Sequence, residues 1–294
     1  MLLSSTKTQI VIMQKMTKYK FAFLITLAYA CFSFCYILTE FSGVDISIIK
    51  DANQAVCYSQ LNRLWFFFSI IYPFLIVLPF STSYIDDYRN QLLPVYISRS
   101  SRKDYYVSKL IAAFVGTAVI IAVPFLLNLI LCNVFLPHNY NTWFAEYQMG
   151  DYYRGLLGTN LLYHTAYHEL PFLKVYLFSP LFYNIMYLLF FSLFSGLLGS
   201  FVLSLSFWAR KSKIMLFVPT FIIIQLMQVY DAWTRSGAID SGKTYTNTNI
   251  LEYVIPSLIK GRSPLFILAI IGLFTAILVC STAYAVREDI RSLQ

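Results

Sequence analysis

Residues 110–137 read LIAAFVGTAVIIAVPFLLNLILCNVFLP, a run of 28 residues without a charged side chain. A helix needs about 20 apolar residues to cross the hydrocarbon core of a bilayer, which is about 30 Å thick. The run is long enough for this, so it predicts a membrane-spanning helix.

Five more charge-free runs occur along the chain. The run 175–209 has 35 residues, more than one crossing requires, so we expect roughly its first ten residues to lie at the membrane surface. The run 214–230 is the shortest, with 17 residues. The sequence therefore predicts an all-α polytopic membrane protein with six transmembrane helices and additional interfacial helices. The predicted spans are 21–39, 65–85, 110–137, 185–209, 214–230 and 263–286.

The composition excludes several classes of protein. Of 294 residues, 58% are hydrophobic and 12% are charged, and the mean hydropathy is +0.63. A soluble domain has about 45–50% apolar and about 25% charged residues, so most of this surface faces something other than water, which excludes an ordinary soluble enzyme. A disordered chain needs low hydrophobicity, and five cysteines are too few for a disulfide scaffold.

The distribution of charge predicts the orientation. The chain has 22 Lys and Arg against 14 Asp and Glu, a net charge of +8, which on a soluble protein would suggest nucleic acid. In a membrane protein, Lys and Arg concentrate in cytoplasmic loops. With both termini inside, the cytoplasmic segments hold 14 basic and 5 acidic residues, a net +9, which leaves −1 outside. We therefore predict a multi-pass protein of the cell (cytoplasmic) membrane with both termini cytoplasmic and no nucleic-acid partner.

The segments outside the predicted spans have distinct compositions. The N-terminal segment 1–20 is predicted to form an amphipathic helix over 8–20 on the inner leaflet, and 287–294 forms a cytoplasmic tail. The loop 86–109 can hold a short helix and a basic turn that dock on a cytoplasmic partner; alternatively, its basic residues only set orientation and contact anionic lipid. The outer loop 138–174 is rich in Tyr and predicts interfacial helices, and the outer loop 231–262 is polar.

Two motifs suggest chemistry but lack the context that the chemistry needs. The stretch from Gly237 to Thr244 matches the phosphate-binding pattern G-x-x-x-x-G-K-[ST]. It lacks the preceding strand and following helix that cradle phosphates, so we do not expect nucleotide binding. His164 and His168 are spaced like a zinc pair, with His138 in the same loop, but solvated or interfacial histidines are the favoured interpretation.

Polar residues within the predicted spans are few, and no charge lies mid-span. This argues against proton-coupled or ion-coupled transport. Cys57 and Cys132 are both predicted near the outer face, and a disulfide between them is left open. Possible pathway-lining residues are Asn128, Asn184, Gln225 and Gln228, for which hydrogen bonding between helices is an equally good explanation.

Three classes of function remain. A membrane-embedded enzyme needs a convergent set of nucleophile, base or metal ligands, which the sequence does not offer. A secondary transporter normally shows intramembrane charge or paired broken helices. A permease driven by a separate subunit needs only a helical bundle and a docking surface, so this class is favoured. The alternatives are a secondary transporter or an accessory subunit of a membrane complex, and less so an intramembrane metalloenzyme.

The stretch after the second predicted span resembles a known family. Asp86-Asp87 lies at the end of the span, followed by a predicted helix from Arg89 to Ile97, the turn Ser98-Arg99, and Tyr105-Tyr106 with Lys109 at the opening of the third span. Together with the six-span plan, this resembles the membrane subunits of ATP-binding cassette exporters of the ABC-2 type.

The resemblance implies a function. It suggests a permease subunit that exports a hydrophobic or amphiphilic substrate, such as a lipid, peptide or drug, by alternating access. Separate cytoplasmic ABC ATPase subunits would bind the coupling-helix loop 86–109 and supply ATP and Mg²⁺, so that this chain is not itself an enzyme and binds no cofactor. A second permease subunit, identical or different, would complete the assembly among membrane lipids. The expected ATPase-docking residues are Asp86, Asp87, Arg89, Arg99 and Arg102.

Overall fold

The structure is a computed structural model that describes residues 2–43, 52–59, 62–99, 101–138, 172–208, 214–241, 246–256 and 263–291. All regular secondary structure in these residues is helical, in agreement with the predicted fold class. The helices, numbered in chain order, are α1 (Leu2–Lys15), α2 (Thr17–Glu40), α3 (Trp65–Val77), α4 (Ser83–Arg89), α5 (Leu93–Arg99), α6 (Arg102–Phe135), α7 (Leu173–Phe178), α8 (Pro180–Ser206), α9 (Ile214–Ser241), α10 (Ile250–Val254) and α11 (Pro264–Arg291).

Four helices are long and apolar enough to cross a membrane, which indicates a membrane-embedded protein. They are α2, α6, α8 and the part of α11 between Pro264 and Arg287. Helix α3 is apolar but has only 13 residues, and α9 contains the predicted span 214–230 within its 28 residues.

The second predicted span, 65–85, is interrupted. Helix α3 ends at Val77, a turn occupies residues 78–82, and α4 continues from Ser83. Pro79 contributes to the break because it has no N–H to donate to the carbonyl of Leu75 four residues earlier, whereas Leu78 keeps helical backbone angles (φ −60°, ψ −42°). The predicted span is therefore two helices joined by a turn rather than one continuous helix.

A second proline, Pro73, lies inside α3 and has a partner on another helix. Since proline has no N–H, the carbonyl of Ser69 loses its normal donor four residues later. The side chain of Gln225 on α9 replaces that donor, with its Nε2 atom 3.1 Å from the Ser69 oxygen. The hydrogen-bonding defect in α3 thus ties α3 to α9.

The fourth predicted span has a sharp start. Helix α7 stops at Phe178, and α8 begins at Pro180, five residues before the predicted boundary. Ser179 caps α8 by accepting a hydrogen bond from the amide of Phe182 at 3.2 Å, and proline follows at the first helical position, where its missing N–H is not needed. Of the roughly ten residues expected to lie at the membrane surface before this span, 175–178 belong to α7 and 180–184 to α8; residues 139–171 of the outer loop lie outside the described residues.

Consecutive long helices alternate in direction. The direction of each helix pair follows from the order of two contacting residue pairs. Helices run antiparallel in three pairs: α2 with α3–α4 (Lys18–Asp86, Tyr29–Phe68), α6 with α8 (Leu110–Ser200, Phe125–Phe191) and α3 with α9 (Ser69–Gln225, Phe74–Phe221). They run parallel in two: α3 with α8 (Trp65–Phe191, Tyr72–Ser195) and α8 with α11 (Phe201–Phe274, Trp208–Tyr284).

Helix α1 extends the bundle next to α6. The predicted helix over 8–20 is present, but α1 ends at Lys15 and α2 begins at Thr17, with Met16 in an extended conformation between them. Ser5 Oγ donates to Ser108 Oγ at 3.0 Å. Met13 packs so closely on Gly116 that a Cβ there would lie 2.2 Å from the Met13 sulfur. Helix α1 therefore packs against α6 rather than lying free of the bundle.

Helix α8 forms the centre of the bundle. In the most apolar 18-residue stretch of α8, the buried share is 72%, whereas in that of α11 it is 17%. Two glycines of α8 allow close packing on α6, because a Cβ at Gly196 would lie 2.8 Å from the carbonyl oxygen of Phe114 and one at Gly199 would lie 2.3 Å from Thr117 Oγ1.

Candidate functional site

The junction between α4 and its neighbours concentrates charge at one end of the bundle. We call this the basic end because it also carries Arg89, Arg99 and Arg102. It contains two ion pairs, formed by Lys18, Asp86, Asp87 and Lys109. Asp86 Oδ2 lies 3.1 Å from the Lys18 ammonium of α2, which also donates to Thr82 Oγ1 at 2.9 Å. Asp87 and Asp86 thus bind two different helices, because Asp87 Oδ2 contacts Lys109 of α6 at 2.7 Å.

The Lys109–Asp87 pair is buried. The Lys109 side chain is 1% exposed and that of Asp87 is 14% exposed. Lys109 Nζ also donates to Ser83 Oγ at 3.2 Å and lies over the rings of Phe80 and Tyr105 at 5.4 and 5.3 Å. Removing one member of such a pair leaves an uncompensated charge, which costs about 3–5 kcal/mol. The pair therefore fixes the position of α4 relative to α6.

Helix α5 is attached to the same network through aromatic side chains. Tyr105 donates to Asp87 Oδ2 at 2.7 Å and stacks on Tyr96 of α5, with ring centres 5.8 Å apart. Burial, and secondarily the charge of Asp87, raise the pKa of Tyr96. Gln91, with φ 54°, makes the turn between α4 and α5. The predicted short helix over 89–97 is thus two helices, one ending at Arg89 and one beginning at Leu93.

The three expected docking arginines occupy three different positions on this segment. Arg89 is exposed in the last turn of α4. Arg102 is half-buried at the start of α6, where Ser101 Oγ caps the helix by accepting from the amide of Asp104 at 3.1 Å. Arg99 ends α5, and its side chain lies outside the described residues. The two acidic docking candidates, Asp86 and Asp87, already bind Lys18 and Lys109 of the same chain.

Two of the four possible pathway-lining residues hold a buried segment, 52–59, inside the bundle. Asn128 accepts from the backbone amide of Cys57 at 2.8 Å and donates to the carbonyl of Ala30 at 2.8 Å. The Asn184 side chain donates to the backbone carbonyl of Asn53 at 2.7 Å, and the backbone carbonyl of Asn184 accepts from Tyr58 Oη at 3.1 Å. All eight residues of the segment are buried. These asparagines therefore connect elements, as interhelical hydrogen bonding predicts.

Aromatic rings fill the middle of the bundle beside this segment. Phe68, Phe125 and Phe191 lie with ring centres 5.2 to 6.4 Å apart, and Tyr58 stacks on Phe125 at 5.7 Å. Packed aromatic rings therefore fill the space between these helices.

The other two pathway candidates lie on α9. Gln225 donates to Ser69, as described above. Gln228 lines a cavity of about 330 Å³ between α3, α9 and α10, where its buried Nε2 atom has no hydrogen-bond partner among the described residues. Gln228 is thus the only one of the four that the structure places at a cavity wall with an unused donor.

A charged cluster that the sequence did not reveal borders the same cavity. We call it the far cluster; it consists of Asp231, Arg235, Asn247, Asn249 and Glu252, and it lies opposite the basic end. Arg235 contacts Asp231 and both oxygens of Glu252, the latter at 2.9 and 3.1 Å. Asn247 donates to Glu252 at 2.6 Å and Asn249 at 3.1 Å.

Burial dominates the electrostatics of the far cluster. It raises the pKa of Glu252 above its ordinary value of 4.5, although the Arg235 charge and the Asn247 hydrogen bond act in the opposite direction. Asp231 Oδ1 accepts from the amide of Thr248 at 2.7 Å. The cluster therefore fastens residues 247–252 to the end of α9. The spacing of Asp231 and Arg235 by four residues was the available sequence signal.

Several other sequence motifs have a defined position. Gly237 to Ser241 are helical at the end of α9, rather than a loop before a helix, and residues 242–245 lie outside the described part. His164 and His168 also lie outside it, whereas His138 follows α6. Cys57 and Cys132 are free and buried on either side of Asn128, whose Oδ1 also lies 3.7 Å from the Cys132 sulfur.

Comparison of the chain with family models, with curated proteins and with solved structures found no match. Function is therefore inferred from the contacts within the chain itself.

Proposed function

We propose that the chain is the permease subunit of an ATP-driven exporter of the ABC-2 type, moving a hydrophobic or amphiphilic substrate across the cell membrane. Support comes from the apolar helices and from their alternating directions. If α3–α4 and α9 also cross, α2, α3–α4, α6, α8, α9 and α11 make six crossings. The beginning of α6 and the end of α11 then lie at the basic end, on the cytoplasmic side by the distribution of Lys and Arg.

The observation that carries the proposal is the connection of the short helices α4 and α5 to the bundle. Asp86 binds Lys18 of α2, and Asp87 binds Lys109 of α6. Tyr105 joins Asp87 to the ring of Tyr96 on α5. A push on α5 is thereby transmitted to two long helices at once, which is what a loop docked on an ATPase must do.

The interruption at residues 78–82 gives this motion a place to act. The turn lies between α3 and α4, and Ser81, Thr82 and Ser83 are all buried there. Alternating access requires a conformational change around a fixed site, and broken helices are one place where such changes occur. The packed rings at the centre are then the closed state of the pathway.

The partners of the proposed assembly are cytoplasmic ATPase subunits, which bind ATP and Mg²⁺, and a second permease subunit. Arg89 and Arg102 are the described candidates for contact with an acidic surface on the ATPase, with Arg99 at the end of α5. Asp86 and Asp87 act in this proposal by holding the docking helices in place.

Purification of the tagged chain from its native membrane tests the proposal. We expect an ATP-binding cassette subunit to co-purify, and its ATP hydrolysis to be coupled to this chain. Arg89→Glu should reduce both the amount of the ATPase subunit and the coupled hydrolysis. Arg63→Glu, an equal charge reversal at the opposite end that also breaks the 3.3 Å ion pair of Arg63 with Glu40, is the control and should leave both unchanged. Absence of any ATPase subunit, or equal recovery with both variants, would contradict the proposal and favour a secondary transporter or an accessory subunit.

A further inference from the structure

A groove of about 430 Å³ runs along the side of the bundle between α6, α8 and α11. Its volume is within the range of about 300–1,000 Å³ that is typical of ligand-binding sites. Most of its wall consists of apolar side chains from the three helices. These are Val107, Ile111 and Phe114 of α6, Leu197 of α8, and Leu278 and Val279 of α11.

The packing of α8 explains why the groove exists. Gly196 and Gly199 bring α8 against α6. On the other side of α8, two aromatic pairs hold α11: Phe201 with Phe274, whose ring centres are 4.6 Å apart, and Trp208 with Tyr284 at 5.7 Å. Helix α8 is therefore the floor of the groove beside Leu197 and Ser200, and α6 and α11 form its two walls there.

The groove lining offers no unused hydrogen-bond donor to a ligand. Its two hydroxyl groups belong to Ser200 and Thr282, and both turn toward helix carbonyls. Ser200 Oγ donates to the carbonyl of Leu110 at 2.9 Å, and Thr282 Oγ1 donates to that of Leu278. An occupant must therefore be apolar where it lies in the groove. In a bilayer, acyl chains surround the helices, and a groove left unfilled would forfeit the dispersion contacts of its lining.

An exposed lysine lies at one end of the groove. Lys103 is exposed on α6, four residues before Val107 and so on the same helix face. At 1.5 Å per residue, it lies about 6 Å beyond the groove lining. Arg287 of α11 is also exposed, but five residues beyond Thr282 it lies about 140° around the helix from that side chain and so off the groove face. A lipid with its chain in the groove would have its phosphate at the level of Lys103, and anionic headgroups are attracted to such a cation.

We propose that this groove binds one acyl chain of an anionic phospholipid, whose headgroup contacts Lys103. The lipid fills the space between α6 and α11 over Leu197 and Ser200 of α8. The site is independent of the function proposed above, because it depends only on the groove and on the charge at its end.

Competition between two lipids tests the headgroup contact. The purified full chain in detergent is mixed with phosphatidylglycerol and phosphatidylcholine of identical acyl chains, and native mass spectrometry measures how much of each is retained. We expect phosphatidylglycerol to be retained preferentially, and Lys103→Gln to reduce this preference about fivefold. Lys7→Gln, which removes an exposed charge from α1, is the control. Equal retention of both lipids by the unmodified chain would overturn the proposal.

A pair of matched substitutions tests the groove. Val279→Trp fills the groove, whereas Val229→Trp places the same side chain on α9 at a position of nearly equal exposure, 64% against 63%. Loss of contact for two methylene groups weakens binding about tenfold, so Val279→Trp should lower retention at least that much and Val229→Trp should not. Equal retention by the two variants would refute the site.

A labelling experiment on the unmodified chain keeps the proposal testable even if a variant fails to fold. Phosphatidylglycerol with a photoreactive group in its acyl chain is bound and activated, and labelled peptides are identified by mass spectrometry. The label should concentrate on residues 107–114 and 278–282. Labelling of the exposed face of α9 to the same extent as residues 107–114 and 278–282 would contradict the assignment.

Discussion

Replacing Lys109 with Met should destabilise the fold by about 3 kcal/mol. The substitution keeps the apolar stem near Phe80 and Tyr105 but leaves the Asp87 carboxylate without its cation. Breaking a buried pair costs about 3–5 kcal/mol. The lower end applies, because Asp87 is 14% exposed and keeps the hydrogen bond from Tyr105. Unfolding in mixed detergent micelles, followed by tryptophan fluorescence, measures the change in unfolding free energy.

The double variant Lys109→Met with Asp87→Leu isolates the pair. Removal of both charges is often nearly neutral, so the double variant should recover most of the lost stability. Lys103→Met, on the exposed side of the same helix, is the control and should change stability by less than about 0.5 kcal/mol. The reasoning is refuted if Lys109→Met and Lys103→Met have equal effects, or if the double variant is no more stable than Lys109→Met alone.

Three further outcomes follow from individual contacts. Gln225→Leu leaves the Ser69 carbonyl without a donor and should lower the free energy of unfolding by about 1–3 kcal/mol. In a Pro73→Ala background the helix regains its own N–H, so the same change should be nearly neutral. Unfolding measurements that show equal losses in both backgrounds would contradict this. Gly199→Ala forces a Cβ toward Thr117 and should cost about 1–3 kcal/mol, while Gly272→Ala on α11, with open space around it, should be neutral or stabilising. Because the pKa of Glu252 is raised in the folded state, the folded chain binds more protons than the unfolded chain between pH 4.5 and that raised pKa. Stability should fall as pH rises through this interval, and a Glu252→Gln variant with the same slope would contradict this origin.

The helical elements were largely predictable because long apolar runs permit few other structures. The run 110–137 lies almost entirely within α6, and Ser179-Pro180 and Ser101 are local start signals that sequence alone carries. The break at Pro79 was not predictable from the proline alone, since Pro73 and Pro124 lie inside continuous helices. The uninterrupted hydrophobicity of residues 65–85 also gave no sign of it.

The contacts of the candidate site were not predictable in the same way. Asp87 and Lys109 are separated by 22 positions and lie on different helices, and no local pattern states that their side chains meet in a buried place. The burial of residues 52–59 depends likewise on Asn128 and Asn184, which come from distant helices. Such pairings arise from the packing of the whole bundle, and a single sequence records only the residue types that make them possible.

The close contact of Gly196 and Gly199 with α6 has a mechanical consequence. It fixes a fulcrum near residues 114–117, about 18 Å from the first residue of α6 and about 27 Å from the last at 1.5 Å per residue. A rocking of α6 by about 10° over α8 would then displace its two ends by about 3 and 5 Å in opposite directions. The shorter part of α6, before this contact, carries Lys109 and its contact with Asp87. The longer part, after it, ends beside the buried segment 52–59.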